Sequence, residues 1–411
     1  MMEEEALSKV ADPLVISVEH HTLYNQIMRA ARTRAPRLLV CGPQGSGKST
    51  YARILVNGLL TTVDTRLLQH HVPQVAFLDL DPGQPEFTPP GQVSLLVIQR
   101  PVFGPPFSHP FSPDADPQEG FYLISSHATA TLTPGADPIQ FEACVKSLML
   151  SYLTTLGEEV PLVINYPGWL SAQGVELLLR LTKVICPSTV IYLGELSPTK
   201  AVDALRGLSD QITLHVLPSH TGRRHLRTPA QLRAMQTCSY FHLIQSRAGL
   251  LQWDATPLTR VPSWVIGYDA GPRAISLSVS GGIRLSLPNV LRVISGSVVA
   301  VVVVYKPDIF TSENVTAPDP AQSSCLGQAL VRSIDSFTKT MQLVTPIPRA
   351  LLDGMFDQGY HLVLVCGRGD IPHWAYDEEL NVANSRSAKA SSSLGAQRTQ
   401  SMTGTAAAVT Q

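Results

Sequence analysis

Eight consecutive residues, Gly42-Pro43-Gln44-Gly45-Ser46-Gly47-Lys48-Ser49, have the types and spacing of a phosphate cradle. Glycines let a backbone wrap an anion so that successive N–H groups point inward. Lys48 is placed to reach the β- and γ-phosphates, and the Ser49 hydroxyl suits Mg²⁺. Thr50 carries the chain into a helical pattern, whose N-terminal dipole adds to the pull on an anion. The loop follows the apolar run Leu38-Leu39-Val40-Cys41 and precedes the helical stretch from Ser49 to Leu60. That strand-loop-helix setting separates a phosphate loop from an ordinary glycine turn. These residues imply ATP or GTP with Mg²⁺.

About 30 residues further on, Phe77-Leu78-Asp79-Leu80-Asp81-Pro82-Gly83-Gln84 ends a second apolar strand in acids, where such folds place a Mg²⁺-associated carboxylate. The two carboxylates are expected to point to opposite faces, so that only one meets the γ-phosphate. Asp81, nearer the strand's C-terminal rim, is favoured, and Asp79 would orient it or hold metal-bound water. One of the two could equally just open the turn at Pro82-Gly83. After another strand-like run comes Asn165-Tyr166-Pro167-Gly168-Trp169. Trp169 either stacks on a nucleobase or is a partly buried packing residue. The densest basic stretch, Arg223-Arg224-His225-Leu226-Arg227 with Arg233 beyond it, either closes over phosphates or is a solvated charged face.

An α/β rhythm positions these residues. Residues 1–35 form a lead-in with a strand-like Leu14 to Val18 and a helical pattern at Leu23, Ile27, Met28 and Ala31. Strands are expected at 38–41, 75–78, 121–124, 161–164, 190–193 and 212–217, with helices at 49–60, 141–156 and 174–183. Strands alternating with helices predict a parallel sheet covered on both faces, with its site beyond the strand C-termini. Residues 99–120 read as a long surface loop. Residues 36–250 would be this phosphate-binding domain. From 251 to 380, apolar runs at 274–279, 297–305, 328–332, 341–345 and 361–366 predict a separate, smaller β-rich domain. Residues 381–411, rich in Ser, Ala, Thr and Gln, are expected to be disordered.

The bulk of the chain sets limits on these readings. Its 411 residues carry 31 Lys and Arg against 32 Asp and Glu, so it does not coat nucleic acid or membrane by net charge. Six cysteines lie scattered without a close pair, so neither a disulfide framework nor a zinc site is expected, and a reducing compartment is. The longest apolar run, Ser297 to Tyr305, is too short to span a bilayer. No secretory leader is read in the acidic start, and a soluble intracellular protein is expected.

Taken together, the phosphate loop, the run from Leu78 to Gly91 containing Asp81-Pro82-Gly83-Gln84 and Pro90-Gly91, and Asn165 to Trp169 resemble the polynucleotide 5′-hydroxyl kinases. Asp81 to Phe87, Pro89 to Gln92, and Cys325 to Asp335 with Thr345-Pro346 resemble the nucleolar, pre-rRNA-processing branch. The resemblance covers roughly residues 14–375. It implies a P-loop kinase that transfers the γ-phosphate of ATP to the 5′-hydroxyl of RNA, using Mg²⁺. It also implies an endoribonuclease partner leaving 5′-OH ends, and a nuclear, nucleolar location. Residue by residue, Gly42 to Thr50 would bind ATP, Ser49 and Asp81 the metal, and Asp81 would take the hydroxyl proton. Gln84 would place the metal or hydroxyl, Trp169 would stack on the terminal base, and Arg223, Arg224, Arg227 and Arg233 would supply the lid. The family usually has Thr where this chain has Tyr166, expected to crowd the RNA end. Ser125 to Thr129 stands where relatives tend to be more basic, so a weaker RNA grip is expected. Relatives also carry a β-rich domain ahead of the kinase core, so this chain is expected to be a truncated gene model or a paralogue without that domain. Two other functions stay open: an ATP-binding scaffold of a nuclease complex, and a kinase with another acceptor.

Overall fold

The computed structural model describes residues 16–62, 73–112, 120–195, 199–208, 210–219, 227–245, 251–268, 271, 273–280, 285–305, 318–367, 369 and 372–378. Helix α1 (Val18–Ala30) starts where the strand-like reading ended, because the Ser17 side chain caps it by accepting the His20 N–H. Leu23, Ile27 and Met28 form its buried stripe.

The first sheet has seven strands: β1 (Arg37–Cys41), β2 (Val75–Asp79), β3 (Gln92–Ile98), β4 (Phe121–Ala128), β5 (Leu162–Asn165), β6 (Thr189–Gly194) and β7 (Thr213–Pro218), in the order β4-β3-β2-β5-β1-β6-β7. Strands β1, β2, β5, β6 and β7 are parallel, and alternate side chains feed two cores. Leu38 and Val40 face α1 and α2 (Lys48–Thr62), whereas Leu39 and Cys41 face α3 (Pro138–Thr155), α4 (Ala172–Ile185) and α5 (Lys200–Arg206). Burial on both sides explains why these strands read as unbroken apolar runs.

Two features depart from the expected architecture. Strand β3, missing from the sequence reading, pairs antiparallel with both β2 and β4, so the sheet is mixed. Residues 99–112 are also not a simple surface loop. Val102, His109 and Phe111 are buried, and Asn57 of α2 exchanges two hydrogen bonds with the Val102 backbone at 2.8 and 2.9 Å.

Helix α6 (Pro229–His242), opened by a Thr228–Gln231 capping box, leads into the hairpin β8 (Leu243–Gln245) and β9 (Leu251–Trp253). A six-stranded sheet follows, built from β10 (Trp264–Gly267), β11 (Ser276–Val279), β12 (Val298–Val304), β13 (Ser323–Asp335), β14 (Thr340–Val344) and β15 (His361–Cys366). The β-rich character read from the sequence is present, along with a strand, β10, that it did not show. Helices α7 (Leu287–Ile294) and α8 (Arg349–Asp357) pack on one face.

The other face of this sheet docks on β4, so the two sheets share buried surface where the sequence reading separated them. Ala128 packs with Ala300, Val302, Cys325, Val363 and Val365. The Ser126 hydroxyl donates to the Cys325 carbonyl at 2.7 Å, and Gln328 Nε2 donates to the Pro90 carbonyl at 2.7 Å. Among the described residues, no helix is long and apolar enough to cross a membrane. Residues 381–411 lie outside the described residues.

Candidate active site

The site lies at the C-terminal rim of β1, β2 and β5, where open α/β sheets place ligands. The loop 42–47 leaves β1 through glycines that no other residue could replace unchanged. Gly42 has φ +147°, and a Cβ there would sit 2.0 Å from the Leu193 carbonyl oxygen. Gly45 and Gly47 have φ +76° and +92°, values that L-residues rarely adopt. Lys48, Ser49 and Thr50 occupy the first turn of α2, so its backbone N–H groups face an incoming anion.

Two observations show that the loop fits a phosphate. Lys48 is 6% exposed, and its ammonium donates to the Pro43 carbonyl at 2.7 Å. Ser46 Oγ is buried without a hydrogen-bonding partner, a cost that an arriving phosphate oxygen would remove. Burial holds the Lys48 pKa below its ordinary value, against the charge of Asp81, which raises it.

Asp79 closes β2 and is 1% exposed. Its Oδ2 accepts the Glu86 N–H at 2.6 Å, and its Oδ1 accepts Asn165 Nδ2 at 3.0 Å and the Asp81 N–H at 3.3 Å. Burial, opposed by these bonds and helped by Asp81's charge, pushes its pKa up to about 8. Asp81 is partly exposed, and its Oδ1 accepts the N–H groups of Gly83 and Gln84 at 3.0 and 3.2 Å. Burial raises its pKa, and the charges of Lys48 and Arg233 act the other way.

The expected split of the two carboxylates to opposite faces is therefore overturned. Residues two apart on extended chain share a face, and the two acids interact through one backbone N–H and through their charges. The remaining oxygen, Asp81 Oδ2, is the one left for chemistry.

The Asn165–Trp169 segment joins this centre directly. A Cβ on Gly168 would stand 2.8 Å from the Gln44 nitrogen, so the turn lies against the phosphate loop. Trp169 is partly buried, packed on the core and under Gly135, whose Cβ position lies 2.7 Å from Cζ2 of the indole. Tyr166, by contrast, is fully buried in the core with Leu39, Cys41 and Ile164, and does not crowd an RNA end. Its phenol oxygen has no partner, and burial raises its pKa.

Ser126, His127, Ala128 and Thr129 are likewise buried, Ser126 and Ala128 against the second sheet, so they cannot set a grip on RNA. Arg223 and Arg224 lie outside the described residues. Arg227 is exposed just before the α6 cap, and Arg233 on that helix is close enough to Asp81 to lower its pKa. Gln84 is partly exposed beside Asp81.

Three positioning residues escaped the sequence reading. Asn165 holds Asp79 across the β2–β5 pairing. Glu86, buried, lies within 3.3 Å of Arg53 Nε and 2.9 Å of His109 Nε2, tying the acidic loop to α2. Gln236 donates 2.7 Å hydrogen bonds to the carbonyls of Pro85 and Thr88, docking α6 on that loop. Only the first carried a signal, its place directly at the end of an apolar strand.

Residues 42–243 match the family model of the P-loop of the mRNA cleavage and polyadenylation factor CLP1. The chain is 36% identical over 374 residues to the polynucleotide 5′-hydroxyl-kinase GRC3 of Gibberella zeae, covering 83% of this chain and 51% of that protein. It is 34% identical over 427 residues to the corresponding kinase of Aspergillus niger, covering 88% of this chain and 52% of that one. The chain thus spans about half the length of the curated relatives it matches. Among solved structures, a wild-type Clp1p–Pcf11p complex aligns with TM-score 0.58 at 14% identity, covering 84% of this chain and 78% of that one, a likeness of fold. The chain thus contains a P-loop domain of the CLP1 type over residues 42–243, and along most of its own length it is homologous to proteins named polynucleotide 5′-hydroxyl-kinase.

Proposed function

We propose that this chain is an ATP-dependent polynucleotide 5′-hydroxyl kinase, acting on RNA ends in rRNA processing within the nucleolus. The observation that carries the reading is that Asp81, next to a phosphate loop, feels the charges of both Lys48 and Arg233. Phosphoryl transfer needs alignment and charge neutralisation more than covalent help, and this arrangement supplies both.

The glycine loop and Lys48 hold the β- and γ-phosphates, and Arg233 approaches on α6 to neutralise charge as the γ-phosphoryl group leaves. Ser49 and Asp81 offer the hard oxygen donors that suit Mg²⁺, which supplies charge neutralisation when bound. Asp81 Oδ2 accepts the proton of the attacking 5′-hydroxyl, while Asp79, sealed from solvent, fixes the Asp81 backbone. Trp169 borders the acceptor side and would stack on the terminal base with part of its indole. An RNA-cleaving partner that leaves 5′-hydroxyl ends would supply the substrate.

The test is transfer of labelled γ-phosphate to a 5′-OH oligoribonucleotide, with matched DNA and small hydroxyl acceptors alongside. Transfer to RNA, abolished in Lys48→Ala and in Asp81→Asn, is the expected result. ATP binding without transfer, with the nuclease present, would sink the kinase reading and leave a scaffold.

A further inference from the structure

Cys238, His242 and Glu378 bring one sulfur, one nitrogen and one oxygen ligand atom within 4.8 Å of one another. Cys238 and His242 are one turn apart on α6, so their side chains rise from the same face of the helix. Glu378 arrives from a point 136 residues further along the chain. That separation is why a search for paired cysteines passes over the group.

The surroundings are those of a metal centre's outer shell. His242 Nδ1 lies 2.7 Å from the Asp254 carbonyl oxygen. A carbonyl only accepts, so Nδ1 carries the proton and Nε2 is the nitrogen turned to Cys238 and Glu378. The β8–β9 hairpin fixes that carbonyl, because Asp254 N–H in turn donates to the His242 carbonyl at 2.8 Å. Glu378 Oε1 stands 2.7 Å from His242 Nε2, while its Oε2 accepts the Leu258 N–H at 2.8 Å. A backbone carbonyl on the far ring nitrogen and a hydrogen-bonded ligating carboxylate are the partners that orient ligands at metal sites.

We propose that Cys238, His242 and Glu378 form a zinc-class divalent metal site that clasps α6, the β8–β9 hairpin and the segment around residue 378. Thiolate, imidazole and carboxylate together favour Zn²⁺ over Mg²⁺ or Ca²⁺. All three residues are partly exposed, which gives an entry path and water for the fourth position. Binding sends the Cys238 thiol proton, and the proton shared between His242 and Glu378, to solvent. Ligand bonds of about 2.0–2.1 Å at a tetrahedral angle would open the Nε2–Oε1 separation from 2.7 Å to about 3.3 Å, a small side-chain adjustment. The rival arrangement is a metal-free His242–Glu378 ion pair with Cys238 beside it. The site is separate from the phosphate loop, so its fate and that of the kinase reading are independent.

The test uses the full chain stripped with chelator and then titrated with Zn²⁺ or Co²⁺. The expected result is one ion per chain and, with Co²⁺, a tetrahedral visible spectrum with a thiolate-to-metal charge-transfer band. Cys238→Ser should remove that band and weaken Zn²⁺ binding by at least roughly 10- to 100-fold, while binding of a fluorescent ATP analogue is kept. Glu378→Gln should weaken Zn²⁺ but leave the thiolate band at saturating Co²⁺. No stoichiometric metal in the wild-type chain, a band that survives Cys238→Ser, or equal affinity in Glu378→Gln would overturn the proposal.

Discussion

The side-chain amide of Asn165 donates to Asp79 Oδ1 at 3.0 Å across the adjacent parallel strands β5 and β2, where the two residues are register partners. Both side chains are buried, and Asn165 Oδ1 has no hydrogen-bonding partner of its own. The bond therefore links the turn that lies on the phosphate loop to the acid that fixes Asp81.

Asn165→Leu deletes one of the hydrogen bonds that hold the charged form of Asp79, and should drive that carboxyl toward its neutral form. An ordinary net hydrogen bond is worth about 0.5–1.5 kcal/mol, or roughly 2- to 10-fold in rate if it is spent on the transition state. The expected result is a kcat for phosphate transfer reduced by about that factor, with KM for ATP changed little, because the phosphates are held by the loop and Lys48. Steady-state kinetics on a 5′-OH oligoribonucleotide checks it. An unchanged kcat would show that Asp79 needs no partner from β5.

Gly42 and Gly45 separate two reasons for glycine in one loop. At Gly42 an added Cβ collides with the Leu193 carbonyl at 2.0 Å, whereas at Gly45 it meets nothing within 4 Å and suffers only from the positive φ. Gly45→Ala should therefore cost about 1–2 kcal/mol and retain nucleotide binding. Gly42→Ala must push β1 from β6 or reshape the loop, and should abolish nucleotide binding. Thermal melts with and without ATP read both effects. Equal losses in the two variants would contradict the argument.

The legible part of the site was the part built from consecutive residues. Gly42 to Ser49 needs one strand, one turn and one helix, so its spacing alone declares it. The rim position favours Asp81 over Asp79, and Asp81 is the more exposed of the two. What stayed hidden depends on contacts between distant segments. Tyr166 reads as a residue of the turn, yet its ring enters the core below β1. Ser126 and Ala128 read as part of a depleted basic surface, but they face a second sheet that no local pattern announces. Strand β3 has the apolar composition of a strand, and only the sheet shows that it runs antiparallel between β2 and β4. Gln236 carries no signal at all, because its partners are two backbone carbonyls far along the chain.

His127 should report on the burial of β4. It is buried on β4, its Nε2 has no hydrogen-bonding partner, and burial pulls its pKa down from 6.5 to about 4, against the charge of Asp319. The unfolded chain therefore binds more protons than the folded one between those values. The stability contributed by burying His127 in its neutral form is fully present above pH 6.5 and is lost as the pH falls toward about 4. A difference of this size corresponds to about 3 kcal/mol. His127→Gln removes the titrating group while keeping a polar side chain of related shape. Urea unfolding of both proteins between pH 4 and 7 should show the wild type losing about that much more stability than the variant on acidification, and the two curves running parallel above pH 6.5. Parallel curves over the whole range would mean that His127 is solvated.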